Sequence, residues 1–434
     1  YQDQQLPEKL LLPLGEHRFI PIPRERIQPI LDILYELYDR ESLDEGSLRL
    51  SRHDAVRLNE LDQRSASSLR WQGGEALRKL GEKLNNFKGI QPVKAPVGLN
   101  ATLRNYQQEG LNWLQFLRDY QFGGILADDM GLGKTVQTLA HLLLEKEQGR
   151  MTKPCLIIAP TSLMGNWRRE AAHFAPDLKV LVLHGTDRKA KFEQIDVHDV
   201  ILTTYPLLLR DGEILSKQAF HYLVLDEAQV IKNAKAKSAK VVRSLKTRHR
   251  LCLTGTPMEN HLGELWSLFD FLMPGFLRDQ TYFKQFFRTP IEKHHDDTRR
   301  EQLSRRVKPF MLRRTKQEVA TELPQKTEII RSVTLESPQA ALYESIRLSM
   351  EKKIQQAIAS KGLARSHITI LDALLKLRQT CCDPQLLSLE QAGKVKASAK
   401  LELLMTILPE MVEEGRKVLL FSQFTKMLSL IEAK

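Results

Sequence analysis

Two short stretches of this sequence have the composition of a phosphate-handling site. The first is Gly131-Leu132-Gly133-Lys134-Thr135, inside ILADDMGLGKTVQT at residues 125–138. Glycine lets a backbone curl so that its N–H groups point inward at an anion. A lysine supplies charge for the β- and γ-phosphates, and a hydroxyl can hold Mg2+. The usual pattern is G-x-x-x-x-G-K-[ST], and here Asp128 stands where the first glycine belongs. The second stretch is Asp226-Glu227 in YLVLDEAQ. Asp226 would hold the metal, and Glu227 would polarise an attacking water. By itself such a pair is also the lettering of a helix N-cap. Placed about ninety residues after a Lys134-Thr135 loop, it reads as the second half of a nucleotide-hydrolysing site.

Such residues need a rigid frame. Apolar runs recur between residues 99 and 270: GGILA, CLIIAP, KVLVLH, DVILTTY, YLVLDE and RLCLTG. Helical patterns such as TVQTLAHLLLEKE lie between most of them. Alternating strands and helices predict a parallel sheet with helices on both faces, and strands buried on both faces read as continuous apolar runs. Ligands then sit at the carboxyl ends of the strands. GGILA before the loop and TVQTLAHLLLE after it supply the strand and the helix N-terminus that a phosphate loop requires.

Around this stretch the sequence divides into four expected parts. Residues 1–98 form a mixed accessory domain with a short strand, RFIPIP, an amphipathic helix at IQPILDILYELY, and a linker at 91–98, QPVKAPVG. Residues 99–270 are the nucleotide-binding lobe. Residues 271–393 are a largely helical insertion and connection, including a long charged helical stretch at 338–380. Leu262, Leu265, Trp266, Phe269 and Leu272 share one helical face, and Trp113 and Trp266 are expected in the core. Residues 394–434 restart the α/β pattern with a helix at AKLELLMTILPEMVEE and a strand at KVLLFSQF.

The 434 residues carry 65 Lys and Arg against 53 Asp and Glu, a net charge of +12 that suits a polyanion partner. No apolar run approaches the roughly 20 residues of a membrane helix, so no membrane partner is expected. Cys155, Cys252, Cys381 and Cys382 include no C-x-x-C pair, which predicts a reducing compartment and no zinc site. HHDD at 294–297 reads as a solvated loop rather than a metal site. A chain beginning at Tyr1 is expected to be part of a longer one.

LRNYQQEGLNWL, ILADDMGLGKTVQT, LIIAPTSLMGNW, LDEAQVIKN, LCLTGTPMENHLGELWSLFDFLMPGF, FMLRRTK and KVLLFSQF stand in the order found in the Swi/Snf-type ATPases of the second helicase superfamily. Over residues 99–434 the chain resembles that family, and the N-terminal part resembles its bacterial members. The resemblance implies an α/β fold. A RecA-like P-loop lobe with helical insertions would carry a mixed accessory domain and the start of a second RecA-like lobe. It implies ATP and Mg2+ as cofactors. Lys134, Asp226 and Glu227 would be catalytic, and Thr135 and Asp226 would hold the metal. Gln107 would read the adenine edge. Asp129, Met130, Gly131, Leu132, Gly133, Lys134 and Thr135 would cradle the phosphates, with Asp129 replacing a glutamate common in the family.

Pro160, Thr161, Ser162 and Asn166, with Thr203 and Thr204, would touch the DNA backbone. Thr254, Gly255 and Thr256 would couple the nucleotide site to the DNA. Gln423 falls in the opening strand of the second lobe. Hydroxyls, amides and N–H groups at strand ends bind phosphates without reading bases, as movement over any sequence requires. Among Arg305, Arg306, Arg313 and Arg314, the arginines of FMLRRTK would support the nucleotide cleft or DNA.

The implied function is an ATP-dependent double-stranded DNA translocase that remodels or displaces protein–DNA complexes. It would be monomeric, cytoplasmic and nucleoid-associated, with RNA polymerase or another DNA-bound protein as partner. The family's later motifs, including the arginine that reaches the γ-phosphate from the second lobe, are absent from residues 1–434, so weak hydrolysis is expected of this stretch alone. Two alternatives stay open. One is an RNA or single-stranded DNA helicase, against which DEAQ, IKN and the helical insertions argue. The other is a catalytically silent interaction module, against which the intact Lys134, Thr135, Asp226 and Glu227 argue.

Overall fold

The computed structural model describes residues 9–13, 19–23, 43–44, 47–48, 75, 89–258, 260–319 and 327–434. The chain forms two compact units, Tyr1–Leu323 and Pro324–Lys434.

In the first unit, strands β1 (Lys9–Pro13) and β2 (Phe19–Pro23) pair antiparallel, as do the short β3 (Leu43–Asp44) and β4 (Ser47–Leu48). The strand expected at RFIPIP is β2; the helix expected at IQPILDILYELY lies outside the described residues. The linker at 91–98 has no regular structure, and the Val97 and Gly98 N–H groups donate to the Glu147 carboxylate at 3.0 and 2.8 Å.

The main sheet has seven strands: β5 (Gly124–Leu126), β6 (Cys155–Ala159), β7 (Val180–Val182), β8 (Val200–Thr204), β9 (Ala219–Asp226), β10 (Lys246–Leu253) and β11 (Met311–Leu312). Their order across the sheet is β11-β5-β10-β9-β6-β8-β7, and every pairing is parallel. All five residues of β6 and of β8 are buried, so both faces of the sheet are covered. Successive side chains of a strand point to opposite faces. The six apolar runs are therefore strands because each has apolar cover above and below. Trp113 and Trp266 are both in the core. The sheet does not end at the expected boundary of 270. Its edge strand β11 comes from FMLRRTK, within the stretch expected to be a helical insertion.

In the second unit, the helices Ser337–Lys361 and His367–Cys382 pack through Leu342, Ile346 and Met350 against Ala373. The helix Ala399–Glu413 forms as expected, with Pro409 inside it. The strand expected at KVLLFSQF does not form. Residues 416–422 are irregular, and Leu419 and Phe421 are 84% and 88% exposed. A parallel strand exists only through hydrogen bonds to neighbours, and no described residue pairs with this segment.

Away from the loop, the sheet encloses a polar cluster. Glu145 is fully buried and accepts from His221 Nε2 at 3.1 Å and Arg150 Nη2 at 2.5 Å. Gln115 Nε2 lies 2.9 Å from His141 Nδ1, and His249 stacks on Tyr222 at 4.8 Å. Neither ring nitrogen of His249 has a hydrogen-bond partner among the described residues. Burial lowers His249 to about 3 and His141 to about 4 from an ordinary 6.5, aided by nearby His221 and arginines and opposed by Glu145. A histidine held neutral in the folded state takes its proton only on unfolding. Stability is therefore level at neutral pH and falls as pH drops below 6.5. At pH 5 each of these histidines costs about 2 kcal/mol. His249→Phe keeps the stacking and removes one titration, so its melting temperature at pH 5 should exceed that of the unaltered protein. Equal pH profiles for the two would show that His249 does not drive the acid loss.

Candidate active site

Because every pairing in the sheet is parallel, the carboxyl ends of the strands lie along one edge. β5 runs into the loop 127–133, and β6 runs into Pro160, Thr161 and Ser162. β9 ends on Asp226, and β10 stops just before Thr254-Gly255-Thr256. The sheet order places β5, β10, β9 and β6 side by side, so residues far apart in sequence share one crevice edge.

The loop is held open by its glycines. Gly131 and Gly133 have φ of 87° and 78°, a region that side chains with a Cβ resist. A Cβ on Gly133 would also lie 2.6 Å from Gln107 Nε2. The helix Lys134–Glu147 begins directly after Gly133, aiming its unpaired N–H groups and positive dipole end at the loop. Thr135 is partly buried in its first turn. Lys134 Nζ donates to the Asp128 and Asp129 carbonyls at 2.7 and 3.4 Å. Burial lowers its pKa, while Glu227, Asp128, Asp226 and Asp129 act to keep the ammonium charged. One cation thus lies close to several carboxylates beside the glycine loop. That set of groups fits a phosphate chain, and Thr135 and Asp226 would be the residues to hold a divalent metal with it.

Asp226 is buried and oriented on both oxygens. Oδ2 accepts from Trp167 Nε1 at 2.7 Å, and Oδ1 accepts from the Glu227 N–H at 2.9 Å. Tyr205 donates its hydroxyl to the Asp226 carbonyl at 2.7 Å. Burial pushes the Asp226 carboxyl above its ordinary value, and the Trp167 bond opposes the shift. Glu227 sits in the left-handed region at φ 48°, an uncommon place for a residue with a Cβ, as functional turns often require.

From Glu227 a chain of hydrogen bonds crosses to the next strand end. Gln229 Nε2 donates to Glu227 Oε2 at 2.8 Å, Thr254 Oγ1 donates to Gln229 Oε1 at 2.8 Å, and the Thr256 N–H donates to Thr254 Oγ1 at 3.0 Å. Met130, 70% exposed, reaches the same place, for a Cβ on Gly255 would lie 3.3 Å from its Cγ.

Several expected site residues sit differently. Gln107 does not project freely towards a base. Its Oε1 accepts from the Arg104 N–H at 3.0 Å, and its Nε2 donates to the Leu132 carbonyl at 3.3 Å, so it braces the loop. Thr203 and Thr204 are buried, which corrects their expected role as surface contacts. Thr203 donates to the Leu183 carbonyl at 3.5 Å, and Thr204 caps the helix Tyr205–Leu215 through the Leu207 N–H at 3.4 Å. Thr254 is likewise buried, its hydroxyl used by Gln229. Thr161, Ser162 and Thr256 are exposed, and Asn166 is partly exposed with its Nδ2 2.5 Å from Glu170 Oε1.

Trp167, Gln229 and Gln137 escaped the sequence reading as site residues. Trp167 has an aromatic's core signal, and Gln137 sits in an otherwise helix-forming run. Only Gln229, two residues from Glu227 in a tight turn, had a local cue.

The parallel sheet, the glycine loop ahead of a helix and the acidic pair after a neighbouring strand define a phosphate-loop nucleotide-binding lobe of α/β class. Residues 106–386 match the SNF2-related domain, and the chain belongs to that family, the Swi/Snf-type ATPases. It is 40% identical over 400 residues to the putative ATP-dependent helicase/translocase YwqA of Bacillus subtilis, covering 90% of this chain and 42% of that protein. It is 40% identical over 320 residues to the TATA-binding protein-associated factor MOT1 of Saccharomyces cerevisiae, covering 68% of this chain and 17% of that one. Among solved structures it is similar to the Sulfolobus solfataricus SWI2/SNF2 ATPase core in complex with dsDNA. That match has 39% identity and a TM-score of 0.53, covering 79% of this chain and 71% of that one. The chain thus spans less than half the length of these two curated relatives.

Proposed function

We propose that this chain carries the nucleotide site of an ATP-dependent double-stranded DNA translocase that remodels or displaces protein–DNA complexes. The observation that carries the reading is the glycine loop running into the helix that begins at Lys134, on the same edge of the sheet as Asp226 and Glu227, with Glu227 joined through Gln229 to Thr254 and Thr256. In this reading the loop N–H groups and Lys134 bind and orient the phosphates. Thr135 and Asp226 hold Mg2+, which neutralises phosphate charge when bound. Glu227 takes a proton from the attacking water.

Thr161, Ser162, Asn166 and Thr256, the surface-accessible members of the strand-end set, contact the DNA backbone with the Pro160 and Gly255 main chain. The Sulfolobus relative was solved with dsDNA, and the MOT1 relative is a TATA-binding protein-associated factor, which supports a duplex track and a DNA-bound protein partner. RNA polymerase is one such partner, and the setting is nucleoid-associated cytoplasm. Among the described residues, no helix is long and apolar enough to cross a membrane.

ATP hydrolysis by the full-length protein, measured without nucleic acid and with duplex DNA, single-stranded DNA or RNA, tests this. Duplex DNA is expected to raise the rate most. A rate raised only by RNA or single strands would replace the duplex track with an unwinding helicase. No hydrolysis under any of these conditions would leave the silent interaction module.

A further inference from the structure

A buried ion pair holds the phosphate loop by the side chain of Asp128, whose carbonyl accepts from Lys134. Asp128, at the place of the missing first glycine, is fully buried. Its Oδ1 accepts from Arg314 Nε at 2.9 Å and its Oδ2 from Arg314 Nη2 at 2.5 Å. Gln137 Nε2, from the helix after the loop, adds a bond to Oδ2 at 3.2 Å. Arg314 also donates to Gln137 Oε1 at 2.9 Å and to the Tyr106 carbonyl. One guanidinium therefore ties together the loop, the helix that follows it and the helix that precedes it.

The backbone repeats the attachment on both sides of Asp128. The Ala127 N–H donates to the Leu312 carbonyl at 2.7 Å, and the Asp129 N–H donates to the Arg314 carbonyl at 3.0 Å. The Lys316 N–H donates to Asp129 Oδ2 at 3.1 Å. The pair fits tightly, for a Cβ on Gly110 would fall 1.9 Å from Gln137 Oε1 and 3.1 Å from Arg314 Nη2.

A buried carboxylate is tolerated only with its charge paired and its lone pairs filled. The fork of arginine supplies two directed donors at once, which fixes orientation as well as charge. A loop with glycine at this place would have no such anchor. We propose that Arg314 is a positioning residue for nucleotide binding. Through Asp128 it holds the phosphate loop in its binding shape, so residues 311–316 set nucleotide affinity from behind the site. This rests on the nucleotide reading above.

The test compares Arg314→Lys and the double variant Asp128→Leu with Arg314→Met, both in the full-length protein. The lysine keeps a positive charge but loses the fork. The double variant removes both charges, and apolar replacement of a buried pair is commonly neutral for stability. Binding of the fluorescent nucleotide mant-ADP, thermal melting, and duplex affinity without nucleotide are measured for each. Both variants should bind mant-ADP about ten-fold or more weakly, the worth of one charge-assisted hydrogen bond, with duplex affinity unchanged. A purely structural role would instead lower melting, duplex affinity and mant-ADP binding together. Folded Arg314→Lys that binds mant-ADP as tightly as the unaltered protein would overturn the proposal, and it decides alone if the double variant does not fold. Absence of mant-ADP binding by the unaltered protein would be a different result, removing the nucleotide reading itself.

Discussion

Lys134→Ala is expected to lower duplex-stimulated ATP hydrolysis by roughly a hundred- to thousand-fold or more, the scale for losing a group aimed at developing charge. The ammonium is partly buried, and its hydrogen bonds go to the carbonyls of Asp128 and Asp129 in its own loop. Asp128 is buried, so its carbonyl loses a donor and some stability goes with it, which is read separately from turnover. Glu227, Asp128, Asp226 and Asp129 lose their common counter-charge. Phosphates brought to this place would then meet carboxylates without a cation between them, and nucleotide binding should weaken along with turnover. A steady-state assay with a melting curve on the same sample checks this. Retention of near-normal hydrolysis by a folded Lys134→Ala protein would remove this loop as the catalytic site.

Glu227→Gln should separate binding from chemistry. The amide keeps an oxygen that can accept from Gln229 Nε2, so the link from Gln229 to Thr254 is preserved. It cannot take a proton from water. General-base catalysis is worth about 10²–10⁴-fold, and kcat should fall by that much. Mant-ADP should bind about as well as before, because Lys134, Thr135 and the loop N–H groups are untouched. The variant would therefore trap a nucleotide-bound protein on duplex DNA. Single-turnover hydrolysis beside equilibrium binding distinguishes the outcomes. Equal loss of both would mean that Glu227 holds the metal rather than the water, a role otherwise given to Asp226.

What could be read from the sequence followed from how local each signal was. Gly131 to Thr135 and Asp226-Glu227 were legible because a phosphate loop and a strand-end acidic pair are contiguous. Six strands were legible because burial on both faces leaves an uninterrupted apolar run. The seventh was not, since Met311–Leu312 is two residues long and is a strand only through its pairing with Ile125 and Leu126. Thr203 and Thr204 misled for a related reason. Hydroxyls at a strand end look the same whether they face solvent or, like Thr204, turn back to cap the next helix. KVLLFSQF shows the converse, an apolar run that stays irregular and pairs with no strand among the described residues. The partners of Asp128 and Asp226, which are Arg314 and Trp167, depend on packing between distant segments and left no pattern to read.

The late arrival of β11 bears on how the protein is made. Arg314 lies 186 residues after Asp128, so the ribosome exposes the glycine loop long before its anchor has been synthesised. Until then β5 is an unprotected sheet edge, and Asp128 lacks the charge that makes its burial tolerable. Contacts so distant in sequence close slowly, because chain entropy is spent before they form. Completion of the nucleotide site is thus a late folding event, and a nascent chain stalled before residue 311 would carry an open, chaperone-accessible edge beside the glycine loop.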